Sequence, residues 1–166
     1  MIIDCFPFFN ELELLKIRLT LLDNIVDRVV LVESTRTFSL KKKKLFYDEN
    51  KILFKKYNNK ITHVVVDDTP ALFNRIFLRK PRELFWLMKN GKSFLLNPHH
   101  IDFHQKNRVT EGLKDCEDED VLILSDLDEI PNPTLFDDLS FLRNNRKGAL
   151  ILENFCYYLN GKLFDK

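Results

Sequence analysis

A chain of 166 residues is long enough for one domain with a sizeable core. Its 26 Lys and Arg against 25 Asp and Glu leave a net charge of +1, which gives no push toward nucleic acid or a strongly acidic partner. Cys5, Cys116 and Cys156 are far apart, odd in number and lack a Cys-x-x-Cys, which argues against a disulfide framework or zinc ribbon.

No run reaches the roughly 18 apolar residues a membrane span needs. Met1 to Phe6 reads as a strand, because a signal peptide wants a basic start and a longer apolar run. A cytoplasmic or soluble chain is the expectation. Pro7-Phe8-Phe9-Asn10 breaks that strand, and Asn10 with Glu13 has the form of a helix N-cap with an acidic third position. From residue 11 to 25, Leu12, Leu15, Leu19 and Leu22 recur at helical spacing. Val29 to Glu33 is a second strand, too apolar to be buried on one side only. Strand, helix, strand in about 30 residues is a βαβ unit with parallel strands and a right-handed crossover.

The polar stretch Glu33 to Phe38 reads as a loop on the ligand side. Lys41 to Lys44 is either a solvated loop or an attractor of an anionic substrate. A short helix is expected over 48–57 and a third strand over Ile61 to Val66. Residues 71–104 hold apolar clusters divided by Pro81 and Gly91, read as a lid or insertion. A helix from Gln105 to Leu113 leads through an acidic turn, Asp115 to Asp120, into the strand Val121 to Leu124. Beyond it, Asn132 and Pro133 open a helix whose buried side would carry Leu135, Phe136, Leu139 and Leu142. Gly148 ends it, and Ala149 to Leu152 reads as a further strand. The fold class is α/β: a Rossmann-like, mostly parallel sheet with flanking helices, in a single domain 1–166.

Chemistry gathers where the fourth strand stops, in Ser125-Asp126-Leu127-Asp128-Glu129-Ile130-Pro131. Adjacent carboxylates repel, so three in four positions cost stability unless a cation offsets them. Open α/β sheets bind ligands beyond the carboxyl ends of their strands, and Asp-x-Asp there suits a hard divalent cation shared with substrate phosphates. The plain alternative is an acidic turn capping the next helix. A calcium-binding EF loop is excluded, because its sixth position must be Gly and here is Pro131. His100 and His104, with His99 and Asp102 nearby, have zinc-like spacing but lack a supporting Glu and read as ordinary histidines. Arg108 could meet a phosphate or the acidic turn. Asn10 and Glu33 end the first two strands, where nucleotides commonly bind.

Four ordered stretches carry a family resemblance: Asp4-Cys5-Phe6-x-Phe8-Phe9-Asn10-Glu11-x-Glu13-Leu14-Leu15-x-Ile17-Arg18-Leu19, Val32-Glu33-Ser34-x-Arg36-Thr37-Phe38, Asn107-Arg108 with Gly112-Leu113, and Ser125 to Pro131. Together they resemble glycosyltransferase family 17, which includes the enzyme adding a bisecting N-acetylglucosamine to N-glycans. The resemblance implies a GT-A-like fold and transfer of a sugar, N-acetylglucosamine, from a UDP-sugar to a glycan or glycoprotein acceptor with inversion, using Mn²⁺ or Mg²⁺. Carried onto this chain, Asp128 is the principal metal ligand, Asp126 meets the ribose or the metal's water shell, and Glu129 supports them. Asn10 and Glu33 border the nucleotide, with Arg36 or Arg108 near the phosphates. Family members usually continue for a comparable distance beyond Lys166, so a C-terminally shortened domain is expected, and no catalytic base is assigned. Eukaryotic members are Golgi lumenal, but no anchor is read here. The alternatives are a catalytically inactive donor-binding module and metal-dependent phosphoryl chemistry at the same carboxylates.

Overall fold

Four apolar runs become four parallel strands, of which the two central ones are buried on both faces while the edge strands expose Val65, Leu122 and Leu124. They are β1 (Ile2–Phe8), β2 (Arg28–Ser34), β3 (Ile61–Val66) and β4 (Val121–Leu124), ordered β3-β2-β1-β4. The computed structural model describes residues 1–69, 98–140, 142 and 147–150. The chain divides into two compact units, Met1–Leu127 and Asp128–Lys166, and the sheet lies in the first. The expected parallel α/β architecture is thus the one observed.

Register sorts the side chains into two layers. Asp4, Phe6 and Phe8 align with Val29, Leu31 and Glu33 on one face. Against it packs α1 (Leu12–Leu22), whose buried residues Leu15, Arg18, Leu19 and Leu22 form a single helical stripe. On the other face Ile3, Cys5, Val30, Val32, Val64 and Val66 form a cluster with Val109, Leu113 and Cys116. Each fully buried Val or Ile there contributes about 1.5–3 kcal/mol by leaving water. The chain covers this face with α3 (Pro98–Asn107) and a 3₁₀ turn, Arg108–Gly112. Gly112 lies so close to the sheet that a Cβ built on it would stand 2.5 Å from Val30 Cγ1.

Pro7 sits inside a central strand, which a parallel ladder normally forbids. It is tolerated because β4 pairs only with Ile2 to Cys5, so β4 has already ended at that level. The Cys5 carbonyl faces β4, accepting from the Ser125 N–H, and Pro7 shares that side two residues on. No ladder bond is lost there.

Four local expectations are corrected. The N-cap of α1 is Glu11, not Asn10: the Glu11 carboxylate turns back to accept from the Asn10 and Phe9 N–H groups at 2.9 and 3.3 Å. The helix expected over 48–57 is instead α2 (Phe46–Glu49) followed by a 3₁₀ segment, Lys51–Tyr57, because burial of Tyr47, Phe54 and Tyr57 decides the backbone there. The helix expected after Pro131 opens as one 3₁₀ turn, Pro133–Phe136, without a buried residue and capped by Asn132 through Thr134 N, and residues 137–140 are not helical; the rest of that stretch lies largely outside the described residues. In place of one helix from Gln105, α3 runs to Asn107 and tightens into the 3₁₀ turn. The expected lid falls largely outside the described residues, as does most of the last strand; Ala149 and Leu150 have no regular structure.

Candidate functional site

Strand order reverses between β1 and β4, because the chain leaves β3 at one edge and returns beside β1. In such sheets the crevice beyond the carboxyl ends at that reversal is where ligands bind. The residues that follow β4 there are Ser125 and Asp126.

Their backbone is held from beneath by Arg18. This side chain is fully buried, and it meets Asp4 bidentately, Nε to Oδ2 at 2.8 Å and Nη2 to Oδ1 at 2.7 Å. Its Nη1 donates to the Asp126 and Leu127 carbonyls at 2.8 and 3.1 Å, and Nη2 donates to Ser125 Oγ at 2.7 Å. Among the described residues these bonds engage all three nitrogens of the guanidinium. The Phe6 ring lies 4.7 Å from its carbon centre. A charge in a dry core survives only with such satisfaction, and here the acceptors double as the loop's scaffold. Asp126 therefore has its main chain fixed from below, while its side chain stays 44% exposed.

The Asp126 carboxylate meets a cation. Lys106 Nζ stands 2.7 Å from Asp126 Oδ1 and 3.2 Å from Asp102 Oδ2 one helical turn back. Burial pulls the Lys106 ammonium down, but the two carboxylates outweigh it and hold its pKa above the ordinary lysine value. Its neighbour Gln105 is buried, and Nε2 donates to the Val32 carbonyl at 2.9 Å and the Phe8 carbonyl at 3.4 Å. That amide ties α3 to β1 and β2 where they part.

Glu33, one residue before the end of β2, is fully buried. Its carboxylate accepts from the Phe46 and Tyr47 N–H groups at 2.6 and 3.2 Å and from Lys43 Nζ at 3.0 Å. His63 Nε2 stands 3.2 Å from Glu33 Oε2, close enough for an ion pair when protonated but not aligned for a hydrogen bond. Of the basic run, Lys43 is thus drawn inward, over the Phe9 and Phe46 rings, while Lys41, Lys42 and Lys44 are exposed. Arg36 is half-buried and donates to the Leu40 carbonyl at 3.2 Å, within a tight turn where Leu40 has φ 61°. Asn10 is exposed beyond β1.

Arg108 pairs with Asp68 and Glu111 rather than with the acidic turn, which Arg28 meets instead through Asp115 at 2.8 Å. His104 Nε2 also reaches Asp68, at 2.9 Å. Burial pushes the Asp68 carboxyl up, but His104 and Arg108 beside it hold it below the usual carboxylate range. Asp128 and Glu129 open the second unit and are exposed. Among the described residues no group of three or more His, Cys, Asp or Glu is gathered to hold a metal ion.

Of the residues expected from sequence, Asp126 lies at the crevice of the switch point, Glu33 lies buried at the root of a loop, and Arg108 lies in an ion-pair cluster at the end of β3. Sequence reasoning missed Arg18, Asp4, Lys106 and Gln105 as site-builders. Two of these carried a signal: an Arg among Leu15, Leu19 and Leu22 on an apolar helix face, and an Asp inside an apolar strand, each costly to bury without the other.

The model of the family described as Glycosyltransferase family 17 matches residues 1–160. No curated protein matches the chain, and no solved structure does. Among the described residues no helix is long and apolar enough to cross a membrane.

Proposed function

This chain belongs to glycosyltransferase family 17, and we propose that, within that family's transfer of sugar from donor to acceptor, its donor is a UDP-sugar, UDP-N-acetylglucosamine, bound with Mn²⁺ or Mg²⁺ and used with inversion. The observation that carries the reading is Asp126 at the β1–β4 reversal, its main chain clamped by a buried Arg18. A glycan or glycoprotein is the acceptor in this reading.

What supports a hard cation here is that the Asp126 carboxylate is partly exposed at the crevice and attracts positive charge, at present the Lys106 ammonium at 2.7 Å. Magnesium-like ions keep several waters and bind through one or two carboxylates plus substrate phosphates, so a closed cluster of protein ligands is not required. Asp126, Asp128 and Glu129 would hold the ion. When bound, it supplies neutralisation of the charge that develops on the departing diphosphate. Arg18 contributes differently. It keeps the Asp126 main chain from shifting as charge moves nearby, the sort of preorganisation that lowers reorganisation cost. Asn10, Arg36 and the loop rooted on Glu33 border the same edge of the sheet and would flank the nucleotide.

Calorimetric titration with UDP-N-acetylglucosamine, with and without Mn²⁺, tests the donor assignment. Mn²⁺ is expected to strengthen binding, and Asp128→Asn to weaken the Mn²⁺-supported binding by at least about tenfold. Unchanged affinity in that variant would sink the cation assignment. Mass spectrometry of an N-glycan panel incubated with the donor reads transfer itself, and NMR of the product anomeric proton reads inversion.

A further inference from the structure

We infer that Lys106 is a donor-binding residue whose ammonium, held over the switch-point crevice by Asp126 and Asp102, takes an oxygen of the donor's phosphates. This rests on the diphosphate-donor reading above. Among the described residues, three other cations are committed elsewhere. Arg18 is fully buried against Asp4 and the Ser125–Leu127 segment, Arg108 is shared by Asp68 and Glu111, and Lys43 is buried on Glu33. Lys106 differs in two ways: it touches the side chain of Asp126, and it keeps 39% of its own side chain exposed.

Donor counting supports the same role. An ammonium has three N–H donors, and the contacts to Asp126 Oδ1 and Asp102 Oδ2 use two. The third suits a phosphate oxygen arriving above Asp126. A divalent cation taking up Asp126 would release a second. Electrostatics points the same way, because two carboxylates at the crevice would repel an anionic donor, and Lys106 offsets one of them. Its mounting is rigid for a lysine: Gln105, the preceding residue, is pinned by its amide to the β1 and β2 carbonyls, so α3 cannot slide along the sheet edge.

The test measures binding to the full chain of UDP, of uridine and of Mn²⁺ alone, for wild type, Lys106→Met and Lys106→Arg. Lys106→Met is expected to weaken UDP by about tenfold or more, as loss of a charge-assisted bond does, with uridine unchanged and the thermal midpoint held. Lys106→Arg should recover most of the UDP affinity. Free Mn²⁺, followed by paramagnetic resonance, should bind Lys106→Met more tightly, since the competing ammonium is gone. UDP affinity unchanged in Lys106→Met overturns the inference and leaves the donor reading standing. Parallel loss of UDP and uridine with a lowered midpoint overturns it as well, marking Lys106 as structural. A wild type that binds no UDP under any cation overturns the donor reading and this one together.

Discussion

Replacing Arg18 by Met should cost far more than the bonds it makes. Asp4 is 1% exposed, and without the guanidinium it is left as a buried charge with no counter-ion. Removing one partner of such a pair typically costs about 3–5 kcal/mol, a large part of the roughly 5–15 kcal/mol that holds a domain folded. Asp4→Asn should cost less, because Arg18 retains Ser125 Oγ and the Asp126 and Leu127 carbonyls, and the Asn oxygen still accepts. The double variant Asp4→Val with Arg18→Met removes both charges, and apolar replacement of a buried pair is often near neutral. It should therefore lie within about 2 kcal/mol of wild type, yet lose donor affinity, because the Arg18 grip on the Asp126 main chain is then gone. Urea denaturation followed by far-UV circular dichroism gives the stabilities. The reasoning is refuted if Arg18→Met loses less than about 1 kcal/mol, or if the double variant is as unstable as the single one.

Gly112→Ala should destabilise by about 1–3 kcal/mol through overpacking, since the new methyl would meet Val30 Cγ1. A second change, Val30→Ala, should restore part of the loss in a thermal melt, and a melt unaffected by Gly112→Ala alone would contradict the close approach. Cys5 should resist alkylation in the folded protein. Burial pushes its thiol up to about 12, so at pH 8 the reactive thiolate is only about one part in ten thousand, rising as pH climbs toward that value. Iodoacetamide labelling read by peptide mass spectrometry checks it: rapid modification of Cys5 at pH 8 without denaturant would overturn the buried placement.

The strands were legible because each is a dense apolar run closed by polar residues, but the reversal of order was not, since nothing local says which edge of β1 the fourth strand joins. Asp126 was legible as a carboxylate just past an apolar strand, although that strand lies at the sheet edge with Leu122 and Leu124 exposed. The helices were misjudged where tertiary contacts overrode local rules: Glu33 caps α2 from 13 residues away, and no propensity signals that. The choice between Arg108 and Lys106 also lay beyond local pattern. Two residues apart, they point to different sides of a helix, and the tightening of α3 into a 3₁₀ turn at Arg108 turns that side chain toward Asp68 instead. The Asp4–Arg18 pair is separated by 14 residues, so its partners were each visible as anomalies but not as a couple.

Strand order also dictates a timetable on the ribosome. β2 can pair with β1 as soon as residue 34 is free, and β3 follows with residue 66. The other edge of β1 waits for β4, which begins at Val121. At about 5–20 residues per second the intervening chain takes roughly 3–11 s to appear, and for that interval β1 offers an unpaired edge and Arg18 lacks three of its acceptors. An open edge of this kind is a template for pairing with another chain. Nascent or truncated forms ending before β4 are thus the ones exposed to aggregation, and the clamp on the site loop is among the last parts of the sheet to close.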